Sequence, residues 1–268
     1  MPGVSSRLRA IAQDTVAIAE RGSYRTAAGA EVTIGPQVAR AVAGTRLHLP
    51  DDDLAGPLSV RADPVVEVTG ESTLAAARRV GGDLACLVFA SARNPGGGFL
   101  NGAQAQEESL ARSSALYPCL RAAGDFYAHH RANPELTYSD RVIYSPSVPV
   151  FRDDKGALLE ESYEVAFLTA AAPNRSAIER NQPQHLPDVP AILTRRASRI
   201  LAVAAAHGHR RLVLGAWGCG VFGNDPATVA EAFAVALRDC PWFDEVIFAV
   251  LDRQPGSPIL DAFTSRFS

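Results

Sequence analysis

The chain lacks paired cysteines. Its four, Cys86, Cys119, Cys219 and Cys240, lie far apart and none belongs to a CxxC. That argues against a disulfide framework and a thiolate zinc site, and a thiol inside an apolar run such as Cys86 behaves as a small hydrophobe. An excess of one charge is also lacking. The formal net charge is −3, which argues against a general nucleic-acid binder. A phosphate-bearing ligand stays open, because backbone N–H groups at glycine-rich turns and helix N-termini bind anions without net positive charge. No run is long enough to span a bilayer, and "MPGVSSRLRAIAQDT" holds no apolar stretch of signal-peptide length. A reduced, soluble, cytoplasmic protein is expected, with no membrane partner. His48, His129, His130, His185, His207 and His209 show no metal-ligand spacing, so no metal and no cofactor are expected. "HGHRR" reads as the solvated end of a helix, where cations complement the dipole. Internal repeats and low-complexity segments are absent.

What is present is a core. Of 268 residues, 47% are hydrophobic and 21% charged, enough for one large α/β domain or two small ones. Helical spacing predicts a helix over 5–21 stopped by Gly22, and a second from Gln37 to Val42 between short strands "AEVTI" and "TRLHLP". "DDDLAGP" is a polar turn and a candidate boundary. Beyond it "PVVEVTG" reads as a strand. A helix follows from Ser72, the N-cap candidate, to about Arg79. "LACLVFA" is an apolar run of the kind buried on both faces of a sheet. Helices are predicted from Gln104 to Leu116, Leu120 to His130, Ala191 to Ala206 and Asp225 to Leu237, the last with Pro226 at N1. Another follows Pro258. "RVIYSP", "YEVAFLTAAAP", "RRLVLGAW" and "EVIFAVLD" complete the strands, and "RDDKG" reads as a turn between two of them. This alternation is the signature of an α/β fold with a largely parallel or mixed sheet flanked by helices.

Ligands of such sheets bind beyond the carboxyl ends of central strands. Gly96, Gly97 and Gly98 lie just past "LACLVFA", where a loop without side chains lets the backbone approach a ligand. Glu107 and Glu108 then occupy the first turn of the next helix. By themselves they are explained by the macrodipole and by an i,i+4 pair of Glu108 with Arg112. The glycine triplet is not, because a helix cap does not require it. Adjacent helical residues point roughly 100° apart, so these carboxylates cannot face each other across a scissile bond as in an ordinary glycosidase. A second glycine-rich turn, "LGAWGCGVFGNDP", follows another buried strand and repeats the arrangement. Two such loops suggest a cleft that clamps one phosphate-rich ligand.

The triplet, seven further residues and then "QEE" resemble the signature of the poly(ADP-ribose) glycohydrolases. "FASARNPGGGFLNGAQAQEESLARSSALY" looks like the bacterial type of that family, built on a macrodomain, whose order of strands and helices fits roughly residues 65–260. The resemblance implies a macrodomain-like catalytic domain over 61–268, with an accessory segment over 1–60 packed on it. It implies hydrolysis of ribose–ribose O-glycosidic bonds in poly(ADP-ribose), mainly from chain ends, with release of ADP-ribose. ADP-ribosylated proteins would be partners, and direct DNA binding is not expected. Glu108 would donate the proton to the leaving ribose oxygen, which demands a raised pKa, and Glu107 would position ribose hydroxyls. Substrate would lie along Asn94, Gly96, Gly97, Gly98 and Gln106, and along Gly218, Cys219, Gly220, Val221, Phe222, Gly223 and Asn224. Phe222 would pack on the terminal ribose. Phe248 is either a platform under adenine or a strand residue of the core, and Asn94 either a ribose contact or a turn residue. A mono-ADP-ribosyl hydrolase and a non-catalytic ADP-ribose reader are the competing readings. The pair Glu107 and Glu108 speaks against the reader, which needs no proton donor.

Overall fold

The computed structural model describes residues 3–54 and 63–268. Helix α1 (Val4–Arg21) ends where the left-handed Gly22 returns its N–H to the Ile18 carbonyl at 2.8 Å. Strands β1 (Ser23–Arg25) and β2 (Glu31–Thr33) form a small antiparallel pair. Helix α2 (Gly35–Gly44) and β3 (Arg46–His48) follow. Then come β4 (Val65–Thr69), α3 (Thr73–Val80) and β5 (Ala85–Phe89). The Ser72 hydroxyl accepts the Ala75 N–H at 3.0 Å, as the N-cap reading requires. Three helices come next: α4 (Gln106–Ser113), α5 (Leu116–Ala122) and α6 (Gly124–Ala132). The long strands β6 (Val142–Arg152) and β7 (Leu158–Ala170) precede α7 (Arg175–Asn181) and α8 (Val189–Ala206). The chain closes with β8 (Arg211–Leu214), α9 (Pro226–Asp239), β9 (Glu245–Ala249) and α10 (Pro258–Phe267).

Among the described residues, seven strands form the main sheet in the order β3-β6-β7-β5-β8-β9-β4. Pairing is parallel from β7 across to β4, and antiparallel at β3–β6 and β6–β7. The predicted central strand β5 is the fourth of the seven. Its alternation sorts the core: Cys86 and Val88 face a layer built from α1 to α6, while Ala85 and Leu87 face α7 to α10. Burying both faces of a parallel strand demands the unbroken apolar run that the sequence carries there.

The segment before residue 60 is woven into this body. Its β3 pairs with β6 through Leu47 and Ile143, and Ile34, Val38 and Ala41 share the core with β5 and β6. The expected boundary at 60/61 lies outside the described residues. The reading of one helix over 104–116 needs correction. Ser114 adopts extended backbone, bridges to Val150 and so separates α4 from α5. Strand β6 also runs past Pro146, because a bulge between Ser145 and Val148 absorbs the missing donor, and on past Pro149, which stays in register with Glu164. Strand β1 and helix α7 had no counterpart in the sequence reading.

"HGHRR" is likewise corrected. His209 is 5% exposed, with Nδ1 3.0 Å from Asp83 and Nε2 2.9 Å from the Tyr144 hydroxyl. His207 stacks on Tyr144 and meets His48 Nε2 to Nε2 at 2.9 Å. The turn after α8 tucks under the start of β8, so these rings join the core's lower rim rather than solvent. Burial, then the neighbouring His48, His209 and Arg46, hold His207 down at a pKa of about 4. Burial, followed by His129, Arg196 and Arg141, does the same for His130, also to about 4. A folded pKa below the unfolded value of 6.5 means that the unfolded chain binds more protons in between. The stabilisation is therefore complete above about pH 6.5 and is lost as pH falls towards 4. Urea unfolding in pH steps is expected to show this loss. His207→Gln is expected to flatten it by roughly 1 kcal/mol, well under the full shift because the ring is half-exposed.

Candidate active site

Strands β5 and β8 pair only through Ala85–Leu212 and Cys86–Val213. Above that point they part, and the Gln106 side chain takes the vacated edge of β5. Its Oε1 accepts the Phe89 N–H at 2.9 Å, and its Nε2 donates to the Leu87 carbonyl at 2.7 Å and to Thr73 Oγ1 at 3.1 Å. A primary amide thus continues the ladder and props the sheet open where ligands bind in folds of this kind. Gln106, expected to touch substrate, is instead committed to the scaffold.

The next residue is buried beneath the glycine loop. Glu107 is 2% exposed, with Oε2 accepting the Ser91 N–H at 2.6 Å and Oε1 the Gly96 N–H at 3.1 Å. Burial raises its pKa well above the ordinary carboxylate value. The Ser91 and Gly96 donors oppose that shift and the Glu108 charge adds to it. Glu108, one step round the helix, is half-buried. Its Oε1 accepts the Gly98 N–H at 3.0 Å, and among the described residues its Oε2 accepts nothing. One carboxylate therefore braces the loop from below while the other leaves an oxygen open at the lip.

Gly97 explains why the triplet cannot carry side chains. Its φ is +59°, and a Cβ there would lie 2.4 Å from Glu108 Oε1. The far end of the loop is fixed by Arg112. That buried guanidinium forms no ion pair among the described residues, although an i,i+4 pair with Glu108 was available. It donates instead to the Ala103 carbonyl at 2.5 Å and to Ser109 Oγ at 3.3 Å. Helix α1 leans on the same loop. Ser5 Oγ donates to the Asn101 carbonyl at 3.3 Å, and Thr15 Oγ1 donates to the Arg112 carbonyl at 2.6 Å. Thr15 in turn accepts Arg152 Nε at 2.9 Å, and Arg152 pairs with Asp14.

The second loop, between β8 and α9, is held the same way, by side chains that look inward. Trp217, 1% exposed, donates its indole N–H to the Ala170 carbonyl at 2.9 Å. Asn224, 2% exposed, donates to the carbonyls of Pro173 at 2.9 Å and Gly218 at 3.1 Å. Gly218 has φ +74°, and a Cβ there would sit 2.5 Å from Ala172 and from Asn224. Loop carbonyls accept the N–H groups of Cys219, Gly223 and Asn224. Those of Gly220, Val221 and Phe222 donate to nothing among the described residues. Three free donors in succession at the head of a helix make an anion cradle. The start of the second loop lies against the end of β5, since a Cβ on Gly215 would lie 3.0 Å from the Phe89 ring.

The predicted residues thus divide. Gly96, Gly97, Gly98, Glu108 and the 218–223 turn come together at the parting of β5 and β8. Asn94 is exposed at the turn, and its carbonyl accepts the Gly97 N–H at 3.0 Å. Val221 stands out at 87% exposure, and Phe222 is half-buried beside Tyr138. Asn224 is a loop fastener. Burial, ahead of the charge of Asp225, pushes the Cys219 thiol up to about 12. The platform reading of Phe248 is corrected: it is fully buried, stacked on Phe267 at 4.3 Å and flanked by Phe233 and Phe263. It points into the layer under α9 and α10. Ser91, Trp217 and Tyr138 escaped the sequence reading and carried no signal in it, while Arg112, read there as an i,i+4 partner of Glu108, instead holds the loop through Ala103. Among the described residues, no group of three or more His, Cys, Asp or Glu could hold a metal ion. No helix there is long and apolar enough to cross a membrane.

The family described as microbial-type PARG, catalytic domain, matches residues 12–153. The chain is similar to the crystal structure of poly(ADP-ribose) glycohydrolase from Thermomonospora curvata. Identity is 54% and the TM-score 0.92, over 98% of this chain and all (100%) of that one. The same enzyme bound to the inhibitor ADP-HPD matches with a TM-score of 0.90 at 54% identity, over 98% and 100% of the two chains. The enzyme from Deinococcus radiodurans in complex with ADP-ribose matches at 45% identity and a TM-score of 0.81, over 87% of this chain and 98% of that one. No curated protein matches the sequence.

Gly97→Ala is expected to cost about 1–2 kcal/mol of stability from its left-handed backbone alone, and more from the collision with Glu108. Gly220→Ala, in open space, is expected to stay within about 0.5 kcal/mol of the wild type. Urea denaturation of both variants measures the difference.

Proposed function

The chain belongs to the microbial-type poly(ADP-ribose) glycohydrolases, and from that membership we propose that it cleaves ribose–ribose O-glycosidic bonds of poly(ADP-ribose) and releases ADP-ribose. The observation that carries this reading is the open Oε2 of Glu108 on a glycine loop, with a run of unused N–H groups on the loop that follows the neighbouring strand β8. The cradle of Gly220, Val221 and Phe222 binds the diphosphate, with the α9 dipole behind it. That seats the chain end with its glycosidic bond near Glu108. Phe222 packs on the terminal ribose and fixes its height. Asn94, at the outer edge of the first loop, meets a ribose hydroxyl.

Glu108, as the acid, gives its proton to the leaving ribose oxygen while the C–O bond breaks. The sugar left behind has oxocarbenium character, and the nearby substrate diphosphate offsets its positive charge. Glu108, now a carboxylate, takes the proton of the attacking water as the new C–O bond forms, which restores the acid. Glu107 acts from beneath: by holding Ser91 and Gly96 it keeps the loop, and hence the Gly98 donor on Glu108, in register. It is a positioning residue, reaching substrate through the backbone rather than by direct contact.

Residues 1–60 serve as an accessory wall of the catalytic body over 61–268. Their helix α1 holds the catalytic loop through Ser5 and Thr15, and Arg7 reaches the Lys155 carbonyl in the β6–β7 turn at 2.9 Å. That wall favours chain ends over internal bonds. The natural partners are poly(ADP-ribosyl)ated proteins, and the four free thiols suit a reducing cytoplasm. A reader would have no use for a carboxylate set on a loop donor with its second oxygen left open.

Purified protein is expected to release ADP-ribose from poly(ADP-ribose), quantified by chromatography. Glu108→Gln is expected to lose turnover by more than about 100-fold while keeping ADP-ribose affinity. Turnover in that variant would remove Glu108 from the reaction. Early product taken before a tenth of the polymer is consumed is expected to be free ADP-ribose; a ladder of shorter polymers would indicate internal cleavage.

A further inference from the structure

Among the described residues, three non-glycine residues have left-handed backbone: Ser147, Ser257 and Tyr138, the last at φ +58°. Ser147 lies in the β6 bulge and Ser257 caps α10. Both are small. A tyrosine in this region is a genuine outlier, and such strain persists only where its surroundings over-determine it.

The surroundings do. On the N-terminal side, the Leu136 N–H donates to Gln182 Oε1 at 2.9 Å, and its carbonyl accepts the Asn174 N–H at 2.9 Å. On the C-terminal side, the Ser139 N–H donates to His130 Nε2 at 3.2 Å. Asp140 pairs with Arg195 at 2.5 Å and with the buried Arg196 at 2.9 Å, and Arg196 also donates to the Ala171 carbonyl at 2.7 Å. The preceding helix reaches the first loop, where Arg131 donates to the Arg93 carbonyl at 2.7 Å. Residues 133–141 are therefore tied to the segments after β5 and β7, at the end of the sheet that carries the cleft.

This fastening places one ring between the core and the second loop, with Tyr138 packed on the core layer of α1 to α6 on one side. Tyr138 is half-buried, edge-on to His130 at 5.7 Å and 6.0 Å from Phe222 in the second loop. Its hydroxyl bonds to nothing among the described residues. We propose that Tyr138 is a substrate-contacting residue that joins Phe222 in an aromatic wall for the distal ribose of the bound ADP-ribosyl chain end. The apolar face of a sugar ring and the face of an aromatic ring are complementary in the way such walls use. The inference rests on the reading of the cleft as an ADP-ribose site and deepens it. It explains why strain is retained at a position where Gly or Asn would relieve it.

The test is calorimetric binding of ADP-ribose and of ADP, which lacks the distal ribose, to wild type, Tyr138→Phe, Tyr138→Gly and Tyr138→Asn. ADP-ribose is expected to bind Tyr138→Gly and Tyr138→Asn about tenfold more weakly, and Tyr138→Phe within about twofold of wild type. ADP is expected to bind all four alike, which also reports that each variant is folded. Unchanged ADP-ribose affinity in Tyr138→Gly or Tyr138→Asn would overturn the proposal. So would an equal loss for ADP, which would put the effect at the nucleotide half or in the fold. Failure of wild type itself to bind ADP-ribose would instead sink the reading of the cleft.

Discussion

The carboxylate of Glu107, buried beneath the glycine loop with two backbone N–H donors aimed at it, is the constraint on which the site depends. A three-glycine loop has little of its own to hold a shape, since it lacks side chains to pack and gains more freedom than any other sequence when it unfolds. Two hydrogen bonds to one buried group define its approach and its first residue, from Ser91 before the triplet and from Gly96 at its start. The arrangement is self-enforcing. Burial makes the ionised form costly, and the same low dielectric strengthens the bonds that compensate. Removing the loop donors would strand the carboxyl, and removing the carboxyl would orphan two N–H groups.

The same economy appears around the rest of the cleft. Gln106 serves main-chain groups of β5 that its parting from β8 leaves unpaired, while Trp217 and the Asn224 amide N–H groups donate to carbonyls after β7 and in the second loop. Because the scaffold is satisfied by side chains, some loop N–H groups stay free for a ligand. That division answers the accounting every buried loop must meet. It also reverses the expected roles of Gln106 and Asn224, which lie next to functional atoms and serve them by keeping the backbone in place.

The legible part of the protein was the part with strict periodicity or strict backbone demand. The "LACLVFA" strand, the cap at Ser72, Pro226 at the start of α9 and the two glycine turns follow from local chemistry, and the structure has each in its expected place. The losses came where partners distant in sequence decide. Ser114 leaves its helix to bridge Val150 in β6, and Pro146 survives in a strand because a bulge absorbs it. The imidazoles of "HGHRR" are taken in by Tyr144, Asp83 and His48, none of them near in sequence. Phe248 on β9 alternates towards α9 and α10, and strand periodicity alone cannot say which face of a two-sided sheet meets a ligand. Tyr138 was invisible for the opposite reason, because a backbone angle imposed by Asp140, Ser139 and Leu136 leaves no composition signal.

Adjacent glutamates with opposite fates illustrate how little is needed to divide labour. The roughly 100° between successive helical residues turns Glu107 into the protein and Glu108 to the lip, so no second helix or strand is required to hold the two apart. Both sit in the first turn, where the macrodipole favours negative charge, yet only Glu107 is fully buried. The helix must then be fixed about its axis, because a small rotation would expose one group and bury the other. That fixing comes from Arg112 on the loop carbonyl of Ala103, from Thr15 on the carbonyl of Arg112, and through Arg152 from Asp14. The N-terminal helix thus helps to set the rotation of α4, and that rotation decides which carboxylate is buried under the loop and which lies at its lip.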